Sequence, residues 1–123
     1  MAGSTARLQL PRSRRIQLGR DFLRVKNQGK RLAVGCLIAN WLELPGETPN
    51  RVGVITGKKI GGAVQRNRAR RLLRESFRLH QHEFNQPVDL VLVARNSIVG
   101  KSFSEVEKDF LQALRRGGLL KQT

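Results

Sequence analysis

The spacing of apolar residues changes along this chain, and each spacing predicts an element. Over residues 19–28, Phe22 and Val25 stand three apart, Asp21 occupies a first turn where the helix dipole favours an anion, and Gly29 supplies a stop, which predicts a short helix. Residues 32–44 are rich in strand formers and run into Pro45-Gly46-Glu47-Thr48-Pro49-Asn50, a segment dense in turn formers, with Arg51-Val52-Gly53-Val54-Ile55-Thr56 beyond. This predicts a hairpin whose return strand is 51–56. Cys36 and Trp41 are an odd number of residues apart on the first of these strands, which sets them on opposite faces, one of them buried. The run Val88-Asp89-Leu90-Val91-Leu92-Val93-Ala94 is of the kind buried on both faces of a sheet.

Between these strands the period lengthens. On a helical wheel Ala69, Leu72, Leu73, Phe77, His80 and Phe84 fall on one side, and Asn67, Arg70, Arg71, Arg74 and Arg78 on the other, so the helix is amphipathic with a basic outer face. Ser104 and Glu107 have capping-box spacing ahead of Val106, Phe110, Ala113 and Leu114, and Gly117 is a stop, which predicts a last helix over 103–116. The order is α+β: three helices packed with a small central mixed sheet, in an αβββαβα-like succession. Residues 1–9 read as a disordered lead, 10–117 as a single domain and 118–123 as a tail.

Charge turns this architecture toward a function. The chain carries 24 Lys and Arg against 9 Asp and Glu, a formal charge of +15 with pI ≈ 11.8, which implies a polyanionic partner. No apolar run approaches the ~18 residues of a spanning helix, so nucleic acid is favoured over a membrane. Cys36 is the only cysteine, which excludes an internal disulfide or a cysteine-rich zinc site and fits a reducing cytoplasm; it reads as a small buried hydrophobe. Residues 1–9 hold no apolar stretch of the secretory type.

The charge is concentrated twice. Arg12, Arg14, Arg15, Arg20, Arg24, Lys26, Lys30 and Arg31 make the amino-terminal quarter basic. The second centre is Gly57 to Arg78, where a glycine-lysine loop feeds the arginine helix and Glu75 is the single acid. Loop glycines let backbone N–H groups converge on an anion beside Lys58 and Lys59. A nucleotide-binding loop fails on spacing, because Gly53 and Gly57 are one residue too close and Lys59 stands where a Ser or Thr should hold magnesium. Glu75 has reach of Arg71 and Arg78 only, which leaves Arg66, Arg68, Arg70 and Arg74 repelling one another unless a phosphate-bearing partner arrives. Asn67 either contacts that partner or caps the helix. His80 packs on the apolar face, and with His82 it does not form a metal pair. The acids are scattered, so the chain has no catalytic residues for phosphodiester chemistry and no metal site of its own.

The run Gly57 to Arg78 resembles the signature of the protein subunit of bacterial ribonuclease P, in which a lysine-glycine loop leads into an Arg-Asn-Arg helix. Leu10 to Arg15, Arg20-Asp21-Phe22, Arg51 to Val54 and Asp89 to Arg95 follow in that family's order, so the resemblance covers residues 10–116. It implies an endonuclease that removes the 5′ leader from precursor tRNA, with a catalytic RNA and its Mg²⁺ ions performing the hydrolysis. It implies that Lys58, Lys59, Arg66, Asn67, Arg68, Arg70, Arg71 and Arg74 contact the catalytic RNA. A leader-binding cleft between the first helix and the sheet would include Phe22, Lys26 and Leu37. A left-handed crossover through the arginine helix between two parallel strands is implied too, against the usual right-handed rule. The chain departs from the family where Lys26 replaces an aromatic and where Leu37 and Asn40 align with aromatics. A ribosomal or ribosome-assembly protein fits the composition equally well, whereas no helix-turn-helix spacing supports a DNA partner.

Overall fold

Strand alternation splits the apolar residues between the two faces of one sheet, and that split dictates the layers. The computed structural model describes residues 10–17 and 19–121, so the lead 1–9 lies outside the described residues. Helix α1 (Gly19–Gln28) precedes strands β1 (Lys30–Val34), β2 (Leu37–Glu43) and β3 (Arg51–Ile55), followed by α2 (Ala63–His80), β4 (Val88–Ala94) and α3 (Phe103–Arg116). The sheet has the order β1-β2-β4-β3, with β3 parallel to β4 and the other pairs antiparallel.

On one face Leu37, Ala39, Trp41, Val52, Leu90 and Leu92 meet Ala69, Leu73 and Phe77 of α2 and Val106, Phe110, Ala113 and Leu114 of α3 in the main core. On the other, Val91 packs with Val25 of α1 and with Ile16. β4 is therefore covered on both sides, as its unbroken apolar run requires. Gly29 ends α1 where the chain passes under β2: a Cβ there would lie 2.2 Å from the Trp41 carbonyl oxygen, a closeness only glycine permits.

Several sequence expectations are corrected. The hairpin is β1 with β2, closed by Gly35 (φ 55°) and Cys36, and the turn-rich stretch at 45–50 instead carries the chain past β4 to the far edge, where β4 is the one strand of the sheet that β3 neighbours. Turn residues mark a reversal without naming the strand it returns to. Cys36 and Trp41 are both buried, because Cys36 sits in the turn and strand parity does not reach it. The capping box of α3 is Ser102 with Glu105, two residues before the expected pair. Phe84 lies beyond α2, packing its ring 5.8 Å from that of Phe77 and bridging to Leu120. The presumed tail contributes to the core, since Leu119 is buried and its carbonyl accepts from the Asn85 N–H.

The amino-terminal segment continues the sheet. Arg15 forms a parallel bridge with Val52 and the Ile16 N–H donates to the Val52 carbonyl, so residues 15–16 lie along the open edge of β3. That docking brings the two basic centres of the sequence together in space.

Candidate nucleic-acid interface

The apolar side of α2 is committed to the core, which leaves its arginines to face the amino-terminal segment. Between them runs a groove of about 820 Å³ lined by Leu10, Pro11, Arg15, Asn67, Arg70, Arg71, Arg74, Glu75 and Arg78. Arg78 pairs with Glu75, and Arg70 donates to the Thr56 hydroxyl at 3.0 Å. Among the described residues the buried Nε atoms of Arg15 and Arg70 have no hydrogen-bond partner. Burial, followed by the nearby Arg15 and Arg70, pulls the Arg74 guanidinium below its usual proton affinity. The groove thus concentrates positive charge whose donors are incompletely satisfied, an arrangement that favours phosphate.

A second concavity opens where α1 covers only part of the sheet. Its volume is about 420 Å³, its floor is Ile38, Asn40, Val91 and Val93, and its walls are Phe22, Leu23, Lys26, Arg31 and Ile55. A smaller hollow of about 340 Å³ shares Arg15, Arg70 and Arg74 with the groove and Phe22 with the cleft. The two surfaces are continuous around the β3 edge.

The position of α1 is fixed by charge. Asp89 of β4 is fully buried; it accepts from Arg51 of β3 at 2.8 and 2.7 Å and from Arg24 of α1 at 3.0 Å. The bonds to Asp89 raise the proton affinity of Arg51. Asp89, Val91 and Val93 share a strand face, as do Arg51, Gly53 and Ile55, so this cluster and the cleft floor are parts of one surface.

A family model described as Ribonuclease P matches residues 10–118. The chain belongs to the ribonuclease P protein family. It is 41% identical over 110 residues to the ribonuclease P protein component of Syntrophomonas wolfei, spanning 89% of this chain and 92% of that one. The corresponding component of Alkaliphilus oremlandii is 39% identical over 106 residues, spanning 86% and 92%. Among solved structures, the RNase P protein from Thermotoga maritima matches with TM-score 0.73 at 28% identity over 83% of this chain and 96% of that one. The Staphylococcus aureus RNase P protein has TM-score 0.80 at 23% identity, covering 88% and 98%, and shows the same fold. Membership makes the chain a protein component of the tRNA 5′-processing endoribonuclease and removes the ribosomal alternative.

For a ribonuclease P protein, the residues expected to face RNA divide into groups. Asn67, Arg70, Arg71 and Arg74 line the groove, while Arg66, Arg68, Lys58 and Lys59 do not. Asn67 is exposed one turn inside α2, whose cap is Gly62, so it does not cap the helix. Arg68 turns the other way and donates to the Lys101 carbonyl at 2.8 Å. Lys58 and Lys59 are exposed in a 3-10 turn, but the N–H groups of Ile60 and Gly61 are used within that turn, so these two do not converge on an anion.

Phe22 and Lys26 line the cleft, and Leu37 does not: it is fully buried in the main core, on the opposite face of β2. Leu37 and Asn40 are three apart, so a strand cannot present both to one side, and Ile38 with Asn40 forms the floor. Sequence reasoning missed Arg15 as a groove residue and Arg31 as a cleft residue, although both lay in the basic amino-terminal quarter. It also missed His80 as an ion-pair centre, with Nδ1 2.5 Å from Glu83 and Nε2 2.8 Å from Glu107. Glu83, three residues after His80, was the available signal. Burial, then Asp109, pushes the Cys36 thiol up to about 12, as expected of an inert buried cysteine. Among the described residues no group of three or more His, Cys, Asp or Glu side chains is placed to hold a metal ion.

Proposed function

We propose that the chain binds the catalytic RNA of ribonuclease P through the basic groove and the adjacent start of α2, and guides the single-stranded 5′ leader of precursor tRNA along the cleft beside α1. The observation that carries this reading is the continuity of the two surfaces at Arg15, Phe22, Arg70 and Arg74. A groove crowded with guanidiniums suits a folded RNA backbone. A narrower cleft whose floor is aliphatic except for Asn40, with one aromatic and two flanking cations, suits an unpaired strand. Arg66, Lys58 and Lys59 extend the RNA face around the helix start, and Arg68 supports it by holding the Lys101 loop.

Hydrolysis and its Mg²⁺ ions are assigned to the RNA subunit, since this chain supplies positioning and charge. The working compartment is the cytoplasm, where bacterial precursor tRNA is made. Cleavage of a leader-bearing precursor tRNA by a bacterial ribonuclease P RNA at low magnesium, with and without the protein, tests the reading. Stimulated cleavage at the mature 5′ end is expected. Folded protein that gives no stimulation of an RNA competent at high magnesium would overturn it.

A further inference from the structure

Glu75 is the one acid lining the groove, among Arg15, Arg70, Arg71, Arg74 and Arg78. It sits on α2 one turn beyond Arg71 and two beyond Asn67, so a carboxylate interrupts the stripe of side chains that faces the amino-terminal segment. Among the described residues its ion pair is with Arg78, and Arg15, Arg70, Arg71 and Arg74 have no ion pair. The bond to Arg78 holds the Glu75 carboxyl below the usual carboxylate range, so it stays ionised at neutral pH. The groove is therefore uneven along α2, with unpaired guanidiniums toward one end and a neutralised pair toward the other. That pair does little for the helix: the side chains are 40% exposed for Glu75 and 32% for Arg78, and ion pairs so exposed contribute little to stability. For a phosphate the carboxylate has a direct cost. Two unit charges about 7 Å apart in water repel by about RT, which is about a threefold change in affinity, and the repulsion fades as salt screens it.

We propose that Glu75 is a specificity-determining residue of the RNA face, a fixed negative charge that denies phosphates the Arg78 end of the groove and admits an RNA backbone whose phosphates fall on Arg15, Arg70, Arg71 and Arg74. This inference rests on the proposed function and deepens it. An RNA folded to match meets the four unpaired guanidiniums and keeps its phosphates clear of the carboxylate. An unmatched RNA samples registers in which a phosphate faces Glu75, and each of those is weakened. The guanidiniums give affinity for any RNA. The carboxylate gives the difference between RNAs, because repulsion of a wrong partner separates affinities that attraction alone leaves alike.

The test measures dissociation constants of the intact chain for a bacterial ribonuclease P RNA and for a ribosomal RNA fragment of similar length, at low and at moderate salt. Glu75→Gln should bind the ribosomal fragment about threefold more tightly at low salt, with the gain shrinking as salt rises. It should gain less on the ribonuclease P RNA, so that the preference between the two narrows. Glu75→Asp keeps the charge on a shorter arm and should keep most of the parent's preference, whereas a role confined to supporting α2 through Arg78 would make the two variants behave alike. No gain on the ribosomal fragment, an equal gain on both RNAs, or matching Asp and Gln variants overturns the inference. Arg71→Ala in the same series reports on the proposed function: if it leaves affinity for ribonuclease P RNA intact, the groove is not the RNA face and both readings fall.

Discussion

The ring of Phe22 occupies the space that a side chain at Gly53 would need: a Cβ there would lie 2.6 Å from Cε1 and 2.8 Å from Cζ. Gly53 sits on β3, on the strand face that α1 crosses, so the missing side chain allows the aromatic to settle against the sheet beside the cleft. Gly53→Ala should force the ring outward and cost about 1–3 kcal/mol, the range for an overpacked site. Thermal unfolding should report the loss of stability. Affinity for leader-bearing precursor should fall more than affinity for catalytic RNA, and equal losses would count against the placement of Phe22.

Asp89 holds α1 to the sheet through Arg24 and Arg51, and its own side chain is fully buried. Asp89→Ala removes an acceptor that two guanidiniums share. A fully buried pair would lose about 3–5 kcal/mol, and the partial exposure of Arg24 and Arg51 brings the expected cost to about 2–3 kcal/mol. Urea unfolding measures this directly. A change below about 1 kcal/mol would show that α1 is held chiefly by Val25 and Ile16, at the level of an exposed ion pair.

His80, the last residue of α2, has a carboxylate on each ring nitrogen, and a neutral imidazole has only one N–H to give. Burial opposes the charged form, but the bonds to Glu107 and Glu83 outweigh it and raise the pKa above 6.5. The folded state thus keeps a proton that the unfolded chain releases first. Its contribution to stability is complete below the unfolded pKa and is lost as pH rises through the folded one. Melting temperatures taken across this interval should decline with pH in the parent protein and decline less in His80→Gln. Identical pH profiles would remove His80 as the link between α2 and α3.

Much of this architecture was legible because periodicity survives in short elements. The helix at 103–116 and the apolar run 88–94 read correctly, since each has one strong pattern and a clear stop. The hairpin was misassigned because β2 and β3 both carry apolar alternation, and only the sheet order decides which neighbour each one finds. Leu37 illustrates the same limit at the site. A family alignment locates the cleft strand, but a single residue of register separates the core from the floor. Arg15 was visible as charge and invisible as a groove residue, because its place depends on the Ile16–Val52 bond across the fold.

Arg71 and Arg68 separate binding from support. Arg71 is exposed in the groove, whereas Arg68 is half-buried and bonded to the Lys101 carbonyl. Arg71→Ala should weaken catalytic-RNA binding with stability changed by less than about 0.5 kcal/mol, the usual surface range. Arg68→Ala should lose about 1–2 kcal/mol of stability in addition to affinity, because a charged donor to a carbonyl disappears. Titration of the RNA together with a thermal melt distinguishes the two variants, and matching behaviour would refute the assignment.

Lys26 lines the cleft at a position where the family resemblance implies an aromatic, which makes it a direct probe of how the leader is held. A cation contacts phosphate and an aromatic stacks on a base, and salt discriminates between them. Lys26→Ala should weaken binding of leader-bearing precursor and reduce the steepness of its salt dependence by roughly 0.7 in log–log slope, the value for one phosphate on a single strand. Lys26→Phe should recover affinity through a stacking contact of about 1–3 kcal/mol while keeping the shallower slope. Precursor without a leader should bind all three proteins alike. Unchanged affinity in Lys26→Ala would mean that Arg31, on the cleft wall formed by β1, carries the phosphate alone, and the double replacement would then be the one to abolish leader discrimination.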